Sequence, residues 1–309
     1  MKIIFMGTPD FAVPVLNALK EAGQDVSLVV TQPDRAKGRG REVAETPVKR
    51  CAEKWNIPVF QPVRVKTPEA VERLRQENCD LIVVAAFGQI LSKDILELPV
   101  HGCVNVHASL LPKYRGAAPI QWAVINGEKE SGVTIMQMDA GLDTGDILKQ
   151  EAVTLDPKET GGSLYDRLSS MGGRLLVSML PDIEAGTAVH TVQDASLSSY
   201  AKMLQHETGQ IRWGNSAVSL ERLIRGVNPW PGAFFSFRGK YMKVWDADAA
   251  ENRKANGMPG TVQDVDRVCI YVNTGDGVLA LKEVQPEGRK RMPVQSFLLG
   301  YPVTPGENL

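Results

Sequence analysis

Two neighbouring runs decide the fold: LIVVAAF, from Leu81 to Phe87, and GCVNVHAS, from Gly102 to Ser109. The first contains no polar side chain, and the second admits only an amide and an imidazole before its closing serine. A strand with one wet face alternates, whereas a strand covered on both faces does not. Runs this short read as central strands rather than buried helices. Working outward, the same kind of run recurs in IIFMG (Ile3–Gly7), VSLVVT (Val26–Thr31), PVFQP (Pro58–Pro62) and VTIMQM (Val133–Met138). Helical periods lie between them at about Asp10–Ala22, Val48–Trp55, Pro68–Glu77 and Ala118–Ile125, and a long one runs from Gly162 to Ala185. Alternating β and α units predict an α/β domain with a doubly wound, mostly parallel sheet. Such sheets take ligands at the carboxyl ends of their strands, which is where Asn105 and His107 fall.

The character of the chain shifts after about His190. TVQDASLSSYAKMLQHETGQ is polar and reads as a linker. The expected division is a first domain over 1–189, a linker over 190–206 and a second domain over 207–309. KYMKVWDA, GTVQDV, RVCIYVN and GVLALKEV are short strand-like pieces separated by Gly, Pro and Asn, the pattern of a small barrel or sandwich. Trp213, Trp230, Phe234, Phe235, Tyr241 and Trp245 are expected mostly to fill its core.

The bulk numbers narrow the function classes. The 309 residues are 43% hydrophobic and 23% charged, with a formal net charge of −1, so any polyanion must be held by local patches rather than by the whole molecule. The four cysteines form no CxxC pair and have no metal-ligand spacing, which points to free thiols in a reducing compartment and no metal. No apolar run is long enough for a membrane span, and the expectation is a cytoplasmic monomer.

MGTPDF sits where a dinucleotide fingerprint would fall but has only Gly7, and Thr8-Pro9-Asp10 reads as ordinary helix-start chemistry. The stronger signal is the polar pair on the strand. Asn105 and His107 share one face because side chains i and i+2 of a strand point the same way. An amide donor beside an imidazole suits a carbonyl on which negative charge develops, and the imidazole can also move a proton. Such a histidine usually needs an orienting carboxylate. MDAGLDTGDIL supplies one directly after a strand, at the same sheet edge, and Asp143 is the residue of choice, with Asp139 and Asp146 as turn formers. The plainer readings are a hydrogen-bonded structural histidine and acids that only shape a turn. A Cys103 nucleophile is weighed and set aside, because a thiol inside a strand is buried and inert.

N-V-H-x-S-L-L-P-x-x-R-G followed by G-V-T-I-M-Q-M-D-x-G-L-D-T-G-D resembles the folate-dependent formyltransferases. IIFMGTPDFAVPVL, TQPDRAKGRG, FGQIL, RGAAPIQWAVINGE and NPWPGAFF extend the resemblance over nearly the whole chain, toward the members that act on methionyl initiator tRNA. It implies a Rossmann-like catalytic domain followed by a small OB-like β-barrel that contacts tRNA. The implied reaction moves the formyl group of 10-formyltetrahydrofolate to an aminoacyl amine. The implied catalytic set is Asn105, His107 and Asp143. The folate contacts would be Ser109, Leu110, Leu111 and Pro112, with Phe87, Gly88, Gln89, Ile90 and Leu91 lining the pterin pocket. Asn105 and His107 would receive the oxyanion, and Asp143 would hold the imidazole. The alternatives are a small amine as acceptor, or water.

DRAKGRGRE, from Asp34 to Glu42, gathers Arg35, Lys37, Arg39 and Arg41 around two glycines. Alone it reads as a solvated loop. With the resemblance it is a basic arm for an acceptor stem, Arg39 first and Arg41 second. Arg238, Lys240, Lys243 and the run Arg289 to Arg291 form a second basic patch.

Overall fold

The computed structural model describes residues 1–37 and 42–309. The chain divides into two compact units. The first comprises Met1–Pro119, Glu130–Thr154 and Tyr165–Ala201; the second comprises Ile120–Lys129, Leu155–Leu164 and Lys202–Leu309.

The first unit is built on a seven-stranded sheet. From one edge to the other its strands are Ile147–Thr154, Glu130–Gln137, Cys103–His107, Leu81–Ala85, Lys2–Gly7, Asp25–Val30 and Val59–Phe60. The last five in that order are mutually parallel, and the first two add antiparallel edge strands. The chain runs outward from the Lys2–Gly7 strand and then returns to its other side at Leu81. The order therefore reverses between those two strands, which is where a sheet of this kind opens a crevice.

Both faces are covered, as the unbroken apolar runs require. Ile4, Met6, Ile82, Val84 and Cys103 pack on one face against Val71, Leu74 and Ile95 from the helices Pro68–Arg75 and Lys93–Leu96. The opposite face is covered by the helices Ala12–Glu21 and Gly161–Glu184. The long helix approaches closely because Gly172 and Gly173 carry no Cβ: one at Gly172 would stand 2.7 Å from Val106 Cγ1, and one at Gly173 would stand 2.9 Å from Ala18 Cβ.

Two features depart from expectation. The first helix starts at Ala12 without a side-chain cap, so Thr8-Pro9-Asp10 does not start it. Thr8 instead donates from Oγ1 to the Phe87 carbonyl at 3.0 Å and accepts from Gln32 N at 3.3 Å, joining loops at three strand ends. The edge strand Ile147–Thr154 was not foreseen. One of its faces is wet, and ILKQEAVT carries too few apolar residues to announce a strand.

The second unit contains an antiparallel sheet whose path runs Ala233–Phe237, Lys240–Ala249, Val278–Pro286, Ile270–Asn273 and Val262–Val265, with Met292–Pro293 paired to Val278–Pro286. Arg238 and Gly239, both at positive φ, form the two-residue turn of its first hairpin. Leu220 and Ile224 from the helix Ala217–Gly226, with Phe235, Phe237, Val244, Leu279, Leu281 and Phe297, form its core. The expectation for the aromatics holds for Phe235 but not for Trp230, which is 60% exposed. Phe234 and Tyr241 stack on each other outside the core, and Trp245 carries Lys243 and Arg291 against its ring.

Candidate active site

The Cys103–His107 strand ends at the crevice edge of the first unit, with Asn105 and His107 on the face that also carries Cys103. His107 is buried, and its Nε2 lies 3.0 Å from the Tyr114 carbonyl. A carbonyl only accepts, so Nε2 carries the hydrogen and Nδ1 of the neutral ring is left as a base. Nδ1 faces Asp143 Oδ2 at 3.8 Å, too far for a hydrogen bond but within an ion pair's reach once the ring is protonated. Residues separated in the chain by a helix and two strands thus meet at one point. The Asn105 side chain is half-buried and has no hydrogen-bonding partner among the described residues.

The Asp143 loop is shaped by its neighbours. Asp139 accepts from Gly141 N at 3.0 Å and from Thr144 Oγ1 at 2.7 Å, a turn-forming role, and Asp146 lies 3.4 Å from His190 Nδ1. A Cβ at Gly145 would stand 1.8 Å from the Gln137 carbonyl, so the loop closes only with glycine there. Asp143 itself has φ 51, and its Oδ2 accepts from Gly116 N at 2.8 Å.

The segment after the strand, Ala108–Gly116, is pinned from two sides. Thr134, fully buried beside His107 in the sheet, donates from Oγ1 to the Ser109 carbonyl and accepts from Leu111 N at 3.1 Å and Gln150 Nε2 at 2.9 Å. Gln150 also donates to the Leu111 carbonyl at 2.8 Å. Ser109 donates to the Lys113 carbonyl, and the Leu111–Pro112 peptide is cis. From the other side, Tyr200–Ala201 pairs in parallel with Arg115–Gly116, and Ser199 Oγ accepts from Tyr114 N at 2.9 Å. Sequence reasoning missed Thr134, Gln150, Gln193 and Ser199. They hold the loops through contacts between distant segments, and no local motif announces them.

Of the residues expected around a pterin, Phe87 and Leu91 point into the core while Gly88 and Ile90 are exposed. Gln89 accepts from Val65 N at 2.8 Å and donates to the Pro62 carbonyl at 3.3 Å. Ala86 and Gly88 both take positive φ, turning the chain sharply at the strand end. Cys103 is buried, and burial pushes its thiol up to about 12, consistent with an inert role.

Of the basic arm, Arg39 and Arg41 lie outside the described residues. Arg35 is exposed in a short strand paired with Glu42–Ala44, and Lys37 ends that strand. The arm's base is tied down: Lys49 Nζ lies 2.6 Å from Asp34 Oδ2 and 3.0 Å from Glu45 Oε1, and Gln61 donates to Asp34 Oδ1 at 2.7 Å. The Lys49 ammonium and the Gln61 amide hold the Asp34 carboxyl below its ordinary range. In the second unit, Arg238 is taken up by Glu307 and Arg291 by Glu283, which leaves less free positive charge than the sequence suggested.

The first unit is thus a three-layered α/β domain with an imidazole, a facing carboxylate and a half-buried amide at its strand ends. Residues 1–180 match the family model for formyl transferase, and residues 203–302 match that for the formyl transferase C-terminal domain. The chain belongs to the formyl transferase family. It is 53% identical over 306 residues to the methionyl-tRNA formyltransferase of Agathobacter rectalis, covering 99% of this chain and 98% of that protein. It is 50% identical over 309 residues to the methionyl-tRNA formyltransferase of Geobacter metallireducens, covering 100% and 98%. Among solved structures, a sugar 3N-formyl transferase crystallised with dTDP and 5-N-formyl-THF superposes with a TM-score of 0.64 at 21% identity, covering 94% of this chain and 99% of that one. HypX from Aquifex aeolicus in complex with tetrahydrofolic acid superposes with a TM-score of 0.65 at 18% identity, covering 97% of this chain and 47% of that one. These two likenesses speak to the fold alone. Among the described residues, no helix is long and apolar enough to cross a membrane.

Proposed function

We propose that this protein transfers the formyl group of 10-formyltetrahydrofolate to the amino group of methionyl initiator tRNA, with Asn105, His107 and Asp143 as the catalytic set. The observation that carries the chemistry is His107 Nδ1 facing Asp143 at 3.8 Å, with a partnerless amide on the same strand face. The acceptor follows from relatives that share about half of the residues over the full length and are named for methionyl-tRNA. Water or a small amine as acceptor is the less favoured reading on the same ground.

The attacking amine must be neutral, and α-amino groups titrate near 8 or slightly below. Its nitrogen bonds to the formyl carbon, and negative charge moves to the formyl oxygen. Asn105, having no other partner, is the donor for that charge. His107 already gives its Nε2 hydrogen to Tyr114, so its part is to take the amine proton at Nδ1, with Asp143 stabilising the imidazolium. The carbon–nitrogen bond to the folate then breaks, and the proton passes to that leaving nitrogen. Ser109 to Pro112 and the Phe87–Leu91 loop, at the same strand-end edge, are the residues proposed to receive the folate. The basic arm, with Arg39 first, Arg41 second, and Arg35 and Lys37 beside them, is proposed to hold the acceptor stem.

Single-turnover formyl transfer tests the assignment. His107→Asn and Asp143→Ala are each expected to slow it by at least about 100-fold. Rates within a few-fold of the parent would overturn the catalytic set. Comparing initiator with elongator methionyl-tRNA, and formate release without tRNA, tests the acceptor.

A further inference from the structure

The Gly116 N–H holds the Asp143 carboxylate, but the residue that ties down its backbone lies outside both family matches, between residues 180 and 203. With φ at 51, Asp143 lies in the left-handed region, which aspartate tolerates better than most residues with a side chain, and hydrogen bonds to its backbone favour that conformation further. The group that holds its backbone is Gln193. Its amide nitrogen donates to the Asp143 carbonyl at 2.9 Å and to the Gly145 carbonyl at 2.7 Å. Its oxygen accepts from Arg115 Nε at 3.1 Å and from Arg115 Nη2 at 2.8 Å. The side chain making these four bonds is only 8% exposed. Arg115 sits between Tyr114, whose carbonyl holds the imidazole, and Gly116, whose N–H holds the carboxylate. An uncharged amide is what this place demands. A carboxylate cannot donate to the two carbonyls, and an ammonium cannot accept from the guanidinium.

We propose that Gln193 is a positioning residue, which sets the separation of the Asp143 carboxylate from the His107 imidazole by tying the Asp143–Gly145 backbone to Arg115. This role rests on the reading of Asp143 as a member of the catalytic set. Gln193→Met keeps the length of the side chain and removes all four bonds. It is expected to lower the single-turnover rate by about 10- to 100-fold and to leave KM for folate and for tRNA within about threefold. In an Asp143→Asn chain, adding Gln193→Met should cost less than about threefold more, because the carboxylate it positions is gone. Equal losses with and without the carboxylate would mean a general structural role and would overturn the proposal. If the methionine chain does not fold, Gln193→Glu serves in the same cycle, since it keeps the acceptor for Arg115 and loses both donors. Should Asp143→Asn be slow while Gln193→Met and Gln193→Glu both run at the parent rate, only the role of Gln193 falls. Should Asp143→Asn itself run near the parent rate, the site reading falls, and this role with it.

Discussion

Thr134 shows how much one hydroxyl can carry at the residue scale. It serves Ser109, Leu111 and Gln150 at once, with no exposure to water. Valine fills the same space without the hydroxyl, so Thr134→Val strands buried polar groups. We expect a loss of about 1–3 kcal/mol in denaturant unfolding and a raised KM for folate. Gly145→Ala should also cost about 1–3 kcal/mol, since the new methyl meets the Gln137 carbonyl, and should slow transfer by displacing Asp143. The thiols give a pH test. Burial raises Cys79 to about 11 and Cys103 to about 12, from an ordinary value of 9.0. Below 9.0 both states hold these protons, and the contribution to stability is constant. As pH climbs from there toward the two raised values, the unfolded chain ionises first and the contribution is lost. The unfolding midpoint should therefore fall between about pH 8 and about pH 10.5, and by less in a Cys79→Ala, Cys103→Ala chain. That Asn105, His107 and Asp143 lie at one strand-end edge was legible, because amide, imidazole and acid are conspicuous at the ends of apolar strands. The Tyr114 carbonyl and the Gly116 N–H were not, since backbone atoms leave no mark in residue identity.

Helices and strands were legible to different degrees, for reasons visible in particular elements. Central strands such as Leu81–Ala85 are apolar throughout and could not be mistaken. The edge strand Ile147–Thr154 owes its place to pairing with Glu130–Gln137 rather than to its own composition. The long helix Gly161–Glu184 was read from its period, but its seat was not, because the glycines at 172 and 173 look unfavourable in isolation. Gly172→Leu makes the packing argument testable. Leucine is the better helix former, so local propensity favours the change, yet its side chain meets Val106. We expect a net loss of about 1–3 kcal/mol, partly recovered by Val106→Ala in the same chain, as read by unfolding midpoints.

For the whole molecule, a net charge of −1 means that tRNA is not drawn in by overall charge. If local arginines do that work, KM for tRNA should rise steeply with salt while KM for folate does not, and Arg39→Ala should flatten the slope. The two-part plan was legible from the change in strand pattern along the chain. The work done by residues 191–201 was not, because a polar stretch without periodicity looks the same whether it spans open solvent or lies in a groove. Here Thr191 bridges Ile147, Gln193 is buried, and Tyr200–Ala201 joins a strand.

That last pairing bears on how the protein is made. A nascent chain emerging from the ribosome delivers His107 and Asp143 long before Gln193, Ser199 and Ala201, the residues that clamp both loops. The sheet can assemble during elongation, but competence must wait until the ribosome has translated well past the last of those three. A polypeptide halted at residue 180 should hold folded sheet structure and transfer no formyl groups.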